Sequence, residues 1–141
     1  MYLLDAANRR FDALLSFLND EFGKGYEKVK ELFDRAVKNE ITLCMSLVNL
    51  VEVYYRTIQL KGLETADAAM EPVKSLPIKF ISDISDEVYL ETARCKANYP
   101  MALADAFLCG TAKSIAATIV TRDPEIRLAE EPESLSVLWL L

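Results

Sequence analysis

Histidine is absent from the 141 residues of this sequence. Its absence excludes the Ser-His-Asp triad, the Cys-His pair, histidine acid/base nucleases and histidine-ligated zinc sites, so any catalysis must use other side chains. The 16 Lys and Arg residues are outnumbered by 22 Asp and Glu residues, and the formal net charge of −6 offers no general attraction for nucleic acid. The surplus carboxylates are the hard oxygen ligands that Mg²⁺ or Mn²⁺ prefers.

Cysteines and long uncharged runs are also scarce. Cys44, Cys95 and Cys109 are scattered and odd in number, which favours reduced, buried thiols over disulfides or a zinc site. The longest uncharged run, residues 41–51, is shorter than the ~18 residues of a membrane span, and the N-terminus lacks the features of a secretory signal. We therefore expect a cytoplasmic protein without membrane contact, folded as a single domain over residues 1–141.

Short apolar segments alternate with segments of helical periodicity. Helical patterns occupy residues 11–18, 29–39, 46–61, 63–73, 85–97 and 101–115, with breaks at Gly23, Gly25, Gly62 and Tyr99-Pro100. Strands are predicted at residues 1–5, 41–44, 78–81, 118–121 and 135–141. Because the strands are apolar on both faces and alternate with helices, the sequence predicts an α/β protein with a parallel sheet between helical layers.

The helix that follows the second strand carries one candidate site residue. Ser46 is a good N-cap for it. The apolar residues predict its buried face, and a polar stripe of Asn49, Glu52 and Arg56 is predicted on the opposite side. The residues expected to be buried are Leu47, Leu50, Val51, Tyr54 and Ile58.

Three further acids stand where a ligand site is expected in such a sheet. Asp5 ends the first strand, and Asp123 follows the fourth strand by two residues. Asp105 lies in the first turn of its predicted helix, where the positive end of the helix dipole favours a carboxylate. Because ligands bind outside the carboxyl ends of parallel strands, we expect these acids and Glu52 to converge on one cleft, with their carboxylates within about 12 Å of one another.

Four motifs at these acids resemble a known family. They are Tyr2-Leu-Leu-Asp5, Ser46-Leu-Val-Asn-Leu-Val-Glu-Val-Tyr-Tyr-Arg56, Lys96-Ala-Asn-Tyr-Pro-Met-Ala-Leu-Ala-Asp-Ala-Phe107 and Ile119-Val-Thr-Arg-Asp-Pro-Glu125. With these motifs in this order, the chain resembles the PIN-domain ribonucleases, and most closely the VapC-type toxins of toxin–antitoxin pairs. The resemblance implies a three-layer α/β/α sandwich with a five-stranded parallel sheet and a Mg²⁺- or Mn²⁺-dependent endoribonuclease activity.

The resemblance also implies the roles of individual residues. Asp5, Glu52, Asp105 and Asp123 take the catalytic and metal-binding positions, where a bound cation activates water without any histidine. Thr121, the hydroxyl residue before the last acid, and Asn49 take supporting positions, with Thr121 orienting Asp123 or a metal-bound water.

One departure from the family pattern lies after the first acid. About five residues are inserted within Ala6–Asp12, which leaves Asn8 as the substitute for the family's small polar residue and makes Asp12 a rival first acid. Asp5 is preferred because it ends a strand. Ala102 also replaces a serine that is common in the family.

Partners follow from the same reading. RNA would contact local basic residues, and an antitoxin would bind a groove between two consecutive amphipathic helices near the acids, while a homodimer remains open.

A catalytically weak PIN-like interaction module is the alternative, motivated by the insertion. A phosphoacceptor receiver domain is excluded because the paired acids after the first strand and the late lysine are missing. The candidate RNA contacts are Arg9, Arg10, Arg56, Lys96 and Arg122, and the candidate partner contacts are Tyr55, Leu60 and Met70.

Overall fold

A computed structural model describes residues 1–5 and 26–140. Its centre is a five-stranded, wholly parallel sheet in the order β3-β2-β1-β4-β5. The strands are β1 (Tyr2–Leu4), β2 (Leu43–Ser46), β3 (Ile78–Ile81), β4 (Thr118–Thr121) and β5 (Val137–Trp139). The parallel sheet predicted from the apolar segments is confirmed. The expected helix at 11–18, the breaks at Gly23 and Gly25, and Asn8, Arg9, Arg10 and Asp12 lie outside the described residues.

Helices connect the strands. They are α1 (Tyr26–Val37), α2 (Leu47–Lys61), α3 (Leu63–Met70), α4 (Asp86–Asn98), α5 (Leu103–Ile115) and α6 (Arg127–Glu130), with short 3₁₀ helices at Glu71–Ser75 and Pro124–Ile126. Ser46 caps α2 by accepting a hydrogen bond from the backbone N–H of Val48, and Gly62, at φ +84°, ends it. Ser85 caps α4. Over residues 1–5 and 26–140, no helix combines the length and apolar character that crossing a bilayer requires.

Two apolar cores cover the two faces of the sheet. One contains Val29 and Phe33 of α1 with Val53 of α2, and the other contains Leu108 of α5 with Ile126. This arrangement confirms the three-layer α/β/α sandwich. Cys44, Cys95 and Cys109 are buried free thiols, as the sequence predicts.

The predicted orientation of α2 is wrong. Leu47 and Val51, expected in the core, are 40% and 63% exposed, whereas Asn49 and Glu52 are buried on the inner face. Apolar residues lie on both sides of this helix. The side with more of them was therefore not the side that faces the core. Thr57, also inside, satisfies its hydroxyl by donating to the Val53 carbonyl at 2.7 Å.

Helices α4 and α5 pack unusually closely where Gly110 faces Thr92. A Cβ atom at Gly110 would lie 2.3 Å from Thr92 Oγ1 and 3.0 Å from the Val88 carbonyl oxygen. An ion-pair network also joins the pair, because Arg94 and Lys113 both bind the nearly buried carboxylate of Glu133. These contacts fix the position of α5, the helix that carries Asp105.

Candidate functional site

The carboxyl ends of β1 and β4 bring two of the predicted acids together. Asp5 directly follows β1, and its backbone N–H donates to the Val120 carbonyl of β4 at 3.0 Å. The Thr121 hydroxyl donates to Asp5 Oδ2 and accepts from the backbone N–H of Asp123 at 2.9 Å. Thr121 therefore fixes the side chain of Asp5 and the backbone at Asp123.

Asp105 reaches the same edge of the sheet from α5. It lies in the first helical turn, as the sequence predicts, and it is only 1% exposed. Carboxylate oxygens of Asp105, Asp123 and Glu125 all lie within 4.8 Å of one another. Asp105 Oδ1 has no hydrogen-bond partner among the described residues. A buried carboxylate in this state is costly unless a cation or a proton compensates its charge.

Glu125 is the residue of this cluster that the sequence reasoning missed. Its carboxylate accepts a hydrogen bond from the backbone N–H of Ala102 at 3.0 Å, and its own N–H donates to Asp123 Oδ1 at 2.9 Å. The signal was present in the sequence, because Glu125 belongs to the motif that ends in Asp123-Pro-Glu125. Asp123 begins a short 3₁₀ helix at that point, and the turn brings Glu125 back toward Asp105.

Glu52 is held on the buried face of α2 by its neighbour one turn away. Arg56 Nη2 lies 2.6 Å from Glu52 Oε1, while Glu52 Oε2 has no partner among the described residues. Asn49 is fully buried on the same face, and within residues 1–5 and 26–140 neither of its amide atoms finds a partner. The pair presents unsatisfied polar atoms in the interior, where such atoms usually have a partner.

The acids act on one another electrostatically. Burial, repulsion from Asp5, a hydrogen bond with Glu125 and repulsion from Asp123 together raise the pKa of Asp105 to about 9. Burial also raises the pKa of Glu52, with Arg56 opposing the rise and Asp123 adding to it. The four predicted acids thus belong to one group of interacting charges, joined by Glu125 as a fifth member.

The donor set fits a divalent cation. The group offers carboxylate oxygens, with no thiol or imidazole among Asp5, Glu52, Asp105, Asp123 and Glu125, and such oxygens suit Mg²⁺ and Mn²⁺. Asp105 Oδ1, which has no hydrogen-bond partner within residues 1–5 and 26–140, supplies a buried acceptor in the group. A cation here would relieve the mutual repulsion that raises the pKa of Asp105.

Basic residues predicted to contact RNA have partners within the protein. Lys96 Nζ donates to the Met101 carbonyl at 2.7 Å, and Arg56 pairs with Glu52. Arg122 is half-buried beside Asp123. Lys96 and Arg56 therefore hold the polypeptide around the acids.

Solved structures from several bacteria share this fold. A chain in the crystal structure of VapBC2 from Rickettsia felis, bound to a DNA fragment from its promoter, matches with a TM-score of 0.71 and 16% identity, covering 97% of this chain and 96% of that one. A chain of DNA-bound VapBC from Salmonella typhimurium gives a TM-score of 0.70 at 17% identity, covering 99% and 98%. A chain of a toxin-antitoxin complex from Klebsiella pneumoniae gives 0.56 at 17%, covering 87% of each chain.

Sequence comparison identifies the family. No curated protein matches the sequence significantly. The sequence profile of the PIN domain matches residues 13–131, which include Glu52, Asp105, Asp123 and Glu125. Since that match extends over most of the sequence and the fold agrees with it, the chain belongs to the PIN domain family.

Proposed function

We propose that this protein is a metal-dependent endoribonuclease and the toxin of a cytoplasmic toxin–antitoxin pair. PIN domains are generally nucleases, which places the chain in that broad class. The observation that carries the proposal is the buried Asp105 carboxylate, which lies with Asp123 and Glu125 at the edge of the sheet and has an unpartnered oxygen within the described part of the chain. This is an arrangement of carboxylates that suits a hard cation.

In the proposed mechanism Asp5, Glu52, Asp105 and Asp123 would hold Mg²⁺ or Mn²⁺. When bound, the cation supplies a nucleophilic water at neutral pH and neutralises charge on the scissile phosphate. Thr121 keeps one oxygen of Asp5 engaged, which orients that carboxylate. Arg56 does the same for Glu52.

Cleavage of RNA is the direct test of this function. We expect the purified full chain to cut end-labelled RNA in millimolar Mg²⁺ or Mn²⁺ and to leave it intact in EDTA, because the carboxylates need the cation to act on a phosphate. A DNA of the same sequence should remain uncut. Metal binding without cleavage of RNA would contradict the enzyme and favour the interaction module, and preferential cutting of DNA would contradict the assignment of RNA as substrate.

The antitoxin is proposed to bind an apolar groove between α2 and α3. The groove has a volume of about 460 Å³ and is bordered by Asp67, Glu71 and Lys74. Its apolar lining consists of Leu47, Leu50, Val51, Tyr54 and Met70. Exposed apolar surface with a partly acidic rim suits an amphipathic segment that carries apolar and basic side chains.

The structure changes which residues are expected to contact this partner. Of the three named from the sequence, Met70 lines the groove, whereas Tyr55 and Leu60 are exposed but do not line it. Tyr54, expected in the core, lines the groove and donates a hydrogen bond to Asp67 across it. Leu47 and Val51 replace Tyr55 and Leu60 as the exposed apolar contacts.

Co-purification with the protein encoded immediately upstream tests the groove. We expect Val51→Glu to reduce recovery of that partner at least about tenfold, because it places a charge in the apolar contact. Leu60→Glu is the matched control, since Leu60 is on the same helix, is 79% exposed and lies outside the groove.

Three outcomes are distinct. Equal loss in Val51→Glu and Leu60→Glu would contradict a contact specific to the groove, and full retention in both would place the contact elsewhere. Failure of the wild type to retain the upstream protein would contradict the toxin–antitoxin pairing itself.

A further inference from the structure

Trp139 lies at the carboxyl edge of the sheet, in the same row of residues as Asp5. It is the register partner of Thr121 in β4, and the Thr121 hydroxyl binds Asp5 at the end of β1. The Trp139 ring packs on the face of the sheet that carries Ile119, which is also the face of Thr121 because side chains alternate along a strand. Neighbouring strands are about 4.8 Å apart, so the ring is two strands away from Asp5. A polymer that extends from the acids toward β5 therefore reaches this ring.

The ring is held in place by its neighbours. Trp139 Nε1 donates to Glu130 Oε1 at 3.2 Å, and Lys28 Nζ donates to the Trp139 carbonyl at 2.8 Å. The guanidinium carbon of Arg127 lies over the ring, 4.1 Å from its centroid. Trp139 is half-buried, whereas Arg127 is exposed. The protein thus presents to solvent a guanidinium group that is backed by a fixed aromatic ring.

Arg127 differs from three other arginines in what it binds. Arg35, Arg56 and Arg94 each form an ion pair with a carboxylate. Within residues 1–5 and 26–140, the side chain of Arg127 forms no ion pair and donates no hydrogen bond, and its contact is with the Trp139 ring. A guanidinium group carries five N–H donors in one plane. Arg127 therefore offers both donors and a planar face to a ligand.

Single-stranded RNA has the groups that this pair can bind. Its unpaired bases stack on aromatic rings and on arginine guanidinium groups, and its phosphates accept hydrogen bonds from arginine. The net charge of −6 gives no general attraction for a phosphate backbone, so contacts of this local kind have to supply affinity. The place of the pair beside the acids favours RNA over a protein partner, because the strand to be cut has to pass this edge of the sheet.

We propose that Arg127 and Trp139 form a stacking platform that holds one base of single-stranded RNA beside the cleavage site. The inference rests on the proposed RNA-cleaving function and adds a substrate contact outside the acids. The base stacks on the Arg127 guanidinium, and Trp139 supports that group from below. The platform selects single-stranded over double-stranded RNA, because the bases of a duplex stack on one another and leave no free face at this point.

The fluorescence of Trp139 tests the platform, since this residue is the single tryptophan of the sequence. In EDTA, where RNA stays uncut, we expect a single-stranded RNA oligonucleotide to quench the fluorescence saturably. An abasic oligonucleotide of the same length and charge should leave it unchanged. Arg127→Ala should weaken RNA binding at least about fivefold in fluorescence anisotropy with labelled RNA. Arg35→Ala, which removes the same charge from the last turn of α1, is the matched control and should bind as wild type does.

Two further measurements separate stacking from charge and from chemistry. Arg127→Lys keeps the charge but lacks the planar group, so it should recover only a small part of the affinity that Arg127→Ala loses. In cleavage assays Arg127→Ala should raise KM at least about fivefold and leave kcat within about twofold, because the platform holds RNA and does not act on the phosphate.

The outcomes distinguish this inference from the proposed function. Equal weakening by Arg127→Ala and Arg35→Ala, equal quenching by the abasic oligonucleotide, or no response of Trp139 to RNA would each overturn the platform. Loss of the upstream protein from Arg127→Ala in co-purification, with RNA binding unchanged, would assign this surface to a protein partner and overturn the RNA contact. A wild type that cuts no RNA in Mg²⁺ or Mn²⁺, but whose Trp139 is quenched by RNA, would contradict the nuclease and leave the platform standing.

Discussion

Asp105→Asn is expected to lower metal-dependent RNA cleavage at least about 1,000-fold, because the metal's contribution to a phosphoryl transition state is several kcal/mol. The same change should raise the melting temperature in EDTA by about 3 °C or more, since it removes a carboxyl group whose charged form is disfavoured by burial and by repulsion from Asp5 and Asp123. Asparagine is nearly the same size, so the packing around it is retained. A loss of activity together with a gain of apo stability is not what general damage to the fold would produce.

Thermal unfolding with and without Mn²⁺ completes this test. A cation that binds only the folded state stabilises it by about 2.7 kcal/mol when the cation concentration is a hundred times the dissociation constant. The melting temperature of wild type should therefore be higher in Mn²⁺ than in EDTA, and that of Asp105→Asn should be the same in both. Asp86→Asn is the matched control, because Asp86 is also a first-turn acid but is exposed at the start of α4. An Asp105→Asn variant that keeps both cleavage and the Mn²⁺ response would contradict the assignment of Asp105.

Gly110→Ala is expected to destabilise the fold by about 3 kcal/mol, a fall of about 10 °C in melting temperature. The added methyl group would lie 2.9 Å from the Thr92 backbone nitrogen and 3.0 Å from the Val88 carbonyl oxygen, so α4 and α5 would have to separate. Movement of the Thr92 side chain alone cannot relieve these backbone contacts. The measurement is the midpoint of thermal or urea unfolding in EDTA.

A second substitution on α5 provides the comparison for Gly110. Ser114→Ala removes only a long, 3.4 Å contact with Glu87 and introduces a better helix former, so its stability should stay within about 0.5 kcal/mol of wild type. Equal stability of Gly110→Ala and Ser114→Ala would show that α4 and α5 separate without cost. Because α5 carries Asp105, Gly110→Ala should also weaken Mn²⁺ binding in the fraction that remains folded.

The local signals of the sequence were sufficient for the order of strands and helices. Ile78–Ile81 and Thr118–Thr121 were predicted with the bounds that the structure has, because each is a short apolar run next to a turn residue. The end of α2 at Gly62 and the break after Tyr99 follow from backbone chemistry that single residues impose. The positions of Asp5, Asp105 and Asp123 at element ends were predictable for the same reason.

The inward face of α2 was not predictable from its pattern. Core packing favours apolar residues inside, and Leu47 and Val51 fit that rule better than Asn49 and Glu52 do. The structure nevertheless buries the polar pair, and Glu52 interacts electrostatically with Asp123 of the site. Polar residues therefore occupy a face where packing alone would favour apolar ones. Asn49 and Glu52 are the exception that periodicity alone cannot identify.

The sequence by itself determined the chemical class of the site, since a chain without histidine but rich in acids at strand and helix ends has only carboxylates to offer at that edge. Tertiary structure decided which acids meet and which surface is left open. Glu125 joins Asp105 only because the 3₁₀ turn after Asp123 and the start of α5 come together. The groove with Val51 exists only because α3 leaves that side of α2 uncovered. Both depend on how separate segments pack, which a local pattern of residues does not encode.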